Sequence, residues 1–245
     1  MKYLIDNKLV LEEPYCSLDD GEKLQNWNKN DEINWNQTHR QTDKYKFYIR
    51  AFDFITDNKI EGDYFEFGCH RARTFRMALT EAKHHNSDNM NFLAFDSFEG
   101  LPKNIGDHGI GNKWEAGQLT TTQDNFLNLI KDHKIYTDKV KLFPGFYHQS
   151  LNEKLTQQIK QYYNPSSFIC IDCDLYESAV PVFRFIDDFL QEGTVVYLDD
   201  YWVGYKGNPN KGVSKAFKEF LGFSKFKFEP YLNIGWLGKS YIAYK

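Results

Sequence analysis

The sequence predicts an α/β fold: an open, mostly parallel sheet with helices on both faces. Three observations carry this. Short apolar runs alternate with amphipathic stretches of helical length, the pattern of repeated strand–helix–strand units. Four of those runs stop on an acid, at Glu66, Asp96, Asp172 and Asp199. The 30 residues from Glu66 to Asp96 and the 27 from Asp172 to Asp199 each suit one βαβ step. Open sheets of this kind gather ligands outside the carboxyl ends of their strands, so the acids mark one functional edge.

The 245 residues fit a single large α/β domain. Net charge is −4 and the basic residues are scattered, which excludes a nucleic-acid footprint. No apolar run approaches the roughly 20 residues of a membrane span. Met1-Lys-Tyr-Leu-Ile-Asp lacks the apolar centre of a signal peptide, so a cytoplasmic location is expected. An aromatic content of 17% implies aromatic-rich packing or an aromatic-lined cleft. Cys16 and Cys69 stand alone, while Cys170 and Cys173 form C-x-x-C. Within a strand, residues three apart face opposite sides, so this pair reads as packing rather than as a redox or zinc half-site.

Taken in order, residues 1–37 form an N-terminal arm or cap, or else a loosely attached extension, ahead of a main domain over 38–245. Residues 38–59 are helical, with Tyr45, Tyr48, Ile49, Phe52 and Ile55 as the apolar stripe and Arg40, Lys44 and Lys46 as a solvated face. A strand then ends at Glu66, Gly68 permits a sharp turn, and a helix follows. The turn does not fit G-x-G-x-x-G, which excludes a dinucleotide cradle. Glu66 could meet a cationic group such as an ammonium, or the corner could serve no ligand.

The next strand, from Asn91, ends at Asp96, placed to accept hydrogen bonds from ribose hydroxyls. Residues 103–122 are an irregular stretch of the length used for lids or disordered loops; His108 and Trp114 are its chemical residues, and His108 is a candidate catalytic group. A helix over 123–133, a strand over 139–143 with exit loop Pro144-Gly145-Phe146-Tyr147-His148, and a helix over 150–162 follow. The run Phe168-Ile-Cys-Ile is a central parallel strand, and the helix over 177–191 carries Pro181 in its first turn. A strand over 194–198, a loop over 201–212, a helix over 213–221 and a closing hairpin of 225–230 with 236–244 complete the chain.

Two strand ends carry acid pairs, Asp172 with Asp174 and Asp199 with Asp200. On neighbouring strands their carboxylates repel unless a cation or a proton sits between them, which points to a hard-metal site. The competing reading makes them turn and capping residues.

Glu66-x-Gly68, Asp96-Ser97-Phe-Glu-Gly-Leu-Pro102, Val140-x-Leu-x-x-Gly145, Asp172-x-Asp174-Leu-Tyr-Glu-Ser178, Asp199-Asp200-Tyr201 and Gly212-Val-x-Lys-Ala-Phe-x-Glu-Phe220 occur in one order. Together they resemble the macrocin O-methyltransferase (TylF/MycF-like) family over roughly residues 45–222. The resemblance implies a class I, S-adenosylmethionine-dependent O-methyltransferase with a Rossmann-like seven-stranded sheet and a C-terminal antiparallel hairpin. It implies magnesium on Asp172, Asp199 and Asp200, and Asp174 as general base. It also implies cofactor contacts from Glu66, Gly68, Cys69, His70, Ala72, Asp96, Ser97, Gly145, Phe146 and Asp172. The acceptor it implies is a hydroxyl of a sugar, glycan or glycosylated small molecule; a homo-oligomer stays open. The chain departs from the family pattern at Ala72, where a glycine is usual, and at His148, where an acid is usual. The alternatives are a binding protein that keeps the fold without turnover, which Ala72 favours, and a metal-dependent hydrolase using the same aspartates.

Overall fold

The computed structural model describes residues 2–5, 8–11, 21–103 and 115–245. His108, Trp114 and Cys16 lie outside the described residues. The chain forms two compact units, 1–41 and 42–245.

In the first unit, β1 (Lys2–Ile5) and β2 (Lys8–Leu11) pair antiparallel, Lys2 opposite Leu11 and Ile5 opposite Lys8. Helix α1 (Lys29–Asp57) starts in this unit and continues into the second. It therefore begins nine residues before the 38 expected from its apolar stripe. The extra turns come from a cap. The Asn28 side chain accepts from the Asn30 amide at 2.8 Å, and the Asp31 carboxylate accepts from the Asn28 amide at 3.0 Å. Such reciprocal capping starts a helix without a buried face.

The second unit holds a seven-stranded sheet: β3 (Asp63–Phe67), β4 (Phe92–Asp96), β5 (Val140–Pro144), β6 (Ser166–Ile171), β7 (Val195–Leu198), β8 (Lys227–Ile234) and β9 (Gly238–Tyr244). Their order is β5-β4-β3-β6-β7-β9-β8. The first five are parallel, and β9 runs antiparallel between β7 and β8. The chain steps outward from β3 through β4 to β5, then returns to β6 on the other side. The switch point thus lies between β3 and β6, where a ligand crevice opens in such sheets.

Alternate strand residues feed two cores. Tyr64, Phe92, Phe168 and Tyr197 pack under α1, α2 (Arg73–His84) and α3 (Gln123–His133). Phe65, Phe67, Phe95, Ile169 and Val196 pack under α5 (Glu153–Tyr162), α6 (Tyr176–Ile186) and α7 (Gly212–Leu221); a single turn, α4 (Tyr147–Ser150), precedes them. Cys170 belongs to the first core and Cys173 to the second, both thiols buried and unbridged. The aromatic content is packing: Phe67 stacks on Phe95 at 4.5 Å, and Phe95 on Phe143 at 4.9 Å, across three strands. Each buried ring contributes about 1.5–3 kcal/mol.

Four expectations change. The buried stripe of α1 is Lys44, Phe47, Tyr48, Ala51, Phe52 and Ile55, while Ile49 is exposed. Pro181 sits at the sixth position of α6, not in its first turn, so its missing N–H removes an intrahelical bond. That helix stops at Ile186 rather than 191, because the Phe189 carbonyl accepts from the Ser166 amide at 2.8 Å and ties the chain to β6. Strand β8 takes in Leu232-Asn-Ile, expected as turn. The register shifts between Pro230 and Asn233, and the Ser240 hydroxyl accepts from the Leu232 amide at 3.0 Å to carry the ladder past it.

Candidate active site

Among the described residues, the acids singled out by the sequence lie at the carboxyl edge of β4, β3, β6 and β7. Gly68, just beyond β3, has φ +90°, and a Cβ there would stand 1.7 Å from the Asp172 carbonyl oxygen. Only glycine lets the two strand exits pass so closely. The Asp172 amide donates to the Phe67 carbonyl at 2.8 Å and clamps them.

Glu66, at the end of β3, is wholly buried. Its carboxylate accepts from the Tyr64 hydroxyl and, at 2.9 Å, from the Thr74 hydroxyl at the start of α2. Burial pushes its pKa up to about 8, against the pull of both donors. Glu66 thus braces the turn from inside rather than standing open to a cationic ligand. The turn ends in two left-handed residues, Arg71 (φ 56°) and Ala72 (φ 49°, ψ 30°). Alanine occupies the conformation glycine would favour, so the turn forms at a local cost of about 1–2 kcal/mol.

Asp96 ends β4. One carboxylate oxygen accepts from the Cys69 amide and the other from the Phe98 amide, each at 2.7 Å. Burial still raises its pKa. The Cys69 thiol is buried against the Glu66 and Phe95 carbonyls, and burial pushes its pKa well up, so it offers no thiolate. His70 meets the Thr121 hydroxyl at 3.1 Å, and burial lowers its pKa. The Ser97 hydroxyl donates to the Gly100 carbonyl at 2.8 Å. The Gly145 amide donates to the Asp96 carbonyl at 2.9 Å, and the Phe146 ring stacks near His148. A cavity of about 490 Å³ opens next to this loop, between Ser97–Phe98–Glu99, Thr122–Gln123–Asp124 and Pro144–Gly145. Its size is that of a small-molecule pocket. Glu99 lies within the Asp96–Pro102 string but was not singled out, and the start of α3 carried no motif.

Beyond β6 and β7, carboxylate oxygens of Asp172, Asp174 and Asp200 lie within 4.8 Å of one another. Asp174 has φ 59°, a strained backbone of the kind that persists where structure over-determines it. Its amide donates to the Asp200 carboxylate at 3.0 Å. Asp199 is at the same edge but turned inward. It is fully buried, accepts from the Tyr197 hydroxyl, and pairs with Lys44 Nζ at 2.7 Å. Lys44 also pairs with Asp172 at 3.3 Å. The solvated face expected for Lys44 is therefore corrected: it is 4% exposed and points into the acidic edge. Its spacing of four from Tyr48 put it on the buried stripe, which was the available signal.

The edge therefore combines an acid fixed by two backbone amides beside a small-molecule cavity with a carboxylate cluster suited to a hard cation. The family model for macrocin-O-methyltransferase (TylF) matches residues 16–239. No curated protein matches the chain. Among solved structures, the O-methyltransferase NovP is 17% identical with TM-score 0.66, covering 83% of this chain and 80% of its own. CalS11, a calicheamicin methyltransferase, is 16% identical with TM-score 0.66, covering 92% and 94%; its apo structure is described as a TDP-rhamnose 3'-O-methyltransferase. An O-methyltransferase from Bacillus cereus in complex with SAH is 14% identical with TM-score 0.53, covering 82% and 81%.

Proposed function

The chain belongs to the macrocin-O-methyltransferase (TylF) family, and on that premise we propose that it methylates a hydroxyl of a sugar or glycosylated small molecule at a cation held on its acidic edge. It is an S-adenosylmethionine-dependent O-methyltransferase, and the hydrolase alternative gives way to that membership. The sugar acceptor is supported by the family's description and by the TDP-rhamnose methyltransferase among the similar folds.

One observation carries the reading: carboxylate oxygens from two neighbouring strand ends converge within 4.8 Å. Hard oxygen donors fit magnesium, which accepts one or two protein carboxylates and keeps other positions for water and substrate. Asp172 and Asp200 would hold it. Asp199, the third member of the expected set, lies at the same edge and shares Lys44 with Asp172. Bound there, a hard cation lowers the pKa of an acceptor hydroxyl and fixes its place. S-adenosylmethionine, bound beside it, supplies a methyl group on a good leaving sulfur.

Asp174 takes the hydroxyl proton at its carboxylate. Asp96 fits the ribose end of the cofactor: two amides fix its carboxylate at the end of β4, and its neighbour Ser97 lines the 490 Å³ cavity. Ala72, the feature that favoured a non-catalytic binding protein, adopts the left-handed turn and so leaves that reading without its support.

The test is S-adenosylhomocysteine formation over a panel of nucleotide sugars and glycosides, with and without chelator. Turnover is expected to stop with chelator and return with magnesium. Asp174→Asn is expected to lower kcat by about 10²–10⁴ while the protein still binds S-adenosylhomocysteine. Turnover that ignores chelator, or survives Asp174→Asn, contradicts the proposal.

A further inference from the structure

The hairpin tip between β8 and β9, Gly235-Trp236-Leu237, stands at the acidic edge. Strand β9 runs antiparallel to β7 with Lys239 opposite Leu198, the residue before Asp199, so the tip lies beyond the carboxyl end of β7. Three close approaches hold it there. The Trp202 amide, two residues past Asp200, donates to the Leu237 carbonyl at 2.9 Å. A Cβ on Gly238 would stand 2.8 Å from the Tyr197 ring, whose hydroxyl donates to Asp199. A Cβ on Gly235, at φ +55°, would stand 3.2 Å from the carboxylate of Asp43, the neighbour of Lys44, which pairs with Asp172 and Asp199. Ile234 and Leu237 are buried on either side of the tip, yet Trp236 is 72% exposed, more than any other large hydrophobic side chain among the described residues. A lone exposed apolar residue needs no explanation as such. This one is a large, rigid ring on an anchored tip beside a site suited to oxygen-rich ligands. Tryptophan offers flat contact area at low conformational cost. The C–H bonds on one face of a pyranose are weakly positive and suit the negative face of an aromatic ring.

We propose that Trp236 is a specificity-determining residue for the acceptor: its indole stacks on the C–H face of the acceptor sugar while the sugar's hydroxyls reach the carboxylate cluster of Asp172, Asp174 and Asp200. This rests on the sugar-methylation reading above. Carboxylates and a cation hold hydroxyls, but they offer nothing to the apolar face of the ring; the indole does. Stacking of this kind is the same before and during methyl transfer, so it sets acceptor affinity rather than the chemical step. The cofactor end is separate, because Asp96 ends β4, three places from β7 in the sheet.

The test measures initial rates of S-adenosylhomocysteine formation in magnesium, with TDP-rhamnose and a set of p-nitrophenyl glycosides, for wild type, Trp236→Phe and Trp236→Ala. Trp236→Ala is expected to raise the KM of the best acceptor at least about tenfold, with kcat held within about twofold. Trp236→Phe keeps an aromatic face and is expected to recover most of that loss. Both variants should keep the wild-type Tm, because the side chain is exposed, and the wild-type affinity for S-adenosylhomocysteine. The acceptor should also shift tryptophan emission in wild type, and most of that shift should be missing in Trp236→Phe. An unchanged acceptor KM in Trp236→Ala overturns the inference. So does a fall in kcat at unchanged KM, and so does a changed sedimentation coefficient at unchanged KM, which would assign the indole to a contact between copies of the chain. Turnover by wild type that Trp236→Ala matches sinks this inference alone. If wild type binds S-adenosylhomocysteine but methylates none of these acceptors, the sugar reading fails and takes this inference with it.

Discussion

Glu66 sits sealed beneath the acidic edge, its pKa raised to about 8 by burial while the hydroxyls of Tyr64 and Thr74 donate to it. The folded state therefore holds a proton that the unfolded chain, at its ordinary 4.5, releases. The stabilisation from that proton is complete below pH 4.5 and is lost as pH rises toward about 8. Thermal melts of the ligand-free protein should show stability declining across this window. Glu66→Gln, which cannot ionise, should flatten the decline; an unchanged slope would mean that Glu66 is already ionised in the fold. Asp96 and Asp63, also raised by burial, act with the same sign. At this scale the sequence identified the acids by their place after apolar runs. It did not show which way each one turns. Asp199 and Asp200 are indistinguishable as letters, yet Asp199 is fully buried against Lys44 and Tyr197 while Asp200 joins the convergent cluster.

The turn between β3 and α2 is where one element shows its cost. Two consecutive left-handed residues close it, and neither is glycine. Ala72→Gly removes strain of about 1–2 kcal/mol and loses a buried methyl worth about 0.8 kcal/mol. The net expectation is a gain of up to about 1 kcal/mol in denaturant unfolding; a clear loss would show that the methyl's packing governs the turn. Helix α3, Gln123–His133, has the bounds its sequence predicts, because Thr122 accepts from the Asn125 amide and Lys134 closes the end in a left-handed conformation. Helix α1 and strand β8 were misjudged at their ends for opposite reasons. The first begins on side-chain capping without an apolar face, and the second crosses an irregularity that a serine hydroxyl bridges. Apolar periodicity reports burial, and both of these ends are fixed by hydrogen bonds instead.

Across the whole second unit, the strand order brings Glu66, Asp96, Asp172 and Asp199 to one edge, as their places at the ends of parallel strands implied. The resemblance implied a C-terminal antiparallel hairpin; the place of β9 between β7 and β8 comes from the structure, since no spacing rule dictates it. The aromatic residues, legible only as either packing or a cleft, are spent on stacks across the sheet. No helix among the described residues is long and apolar enough to cross a membrane. On the proposed function, one edge carries two adjoining sites, a cofactor site at Asp96 and an acidic acceptor site at Asp172 and its neighbours. Calorimetric titration of S-adenosylhomocysteine into wild type, Asp96→Ala and Asp172→Ala tests it most directly. Binding to wild type is expected, with a loss of at least about tenfold in Asp96→Ala, where charge-assisted hydrogen bonds disappear, and retained binding in Asp172→Ala. No binding to wild type, or equal loss in both variants, would contradict it.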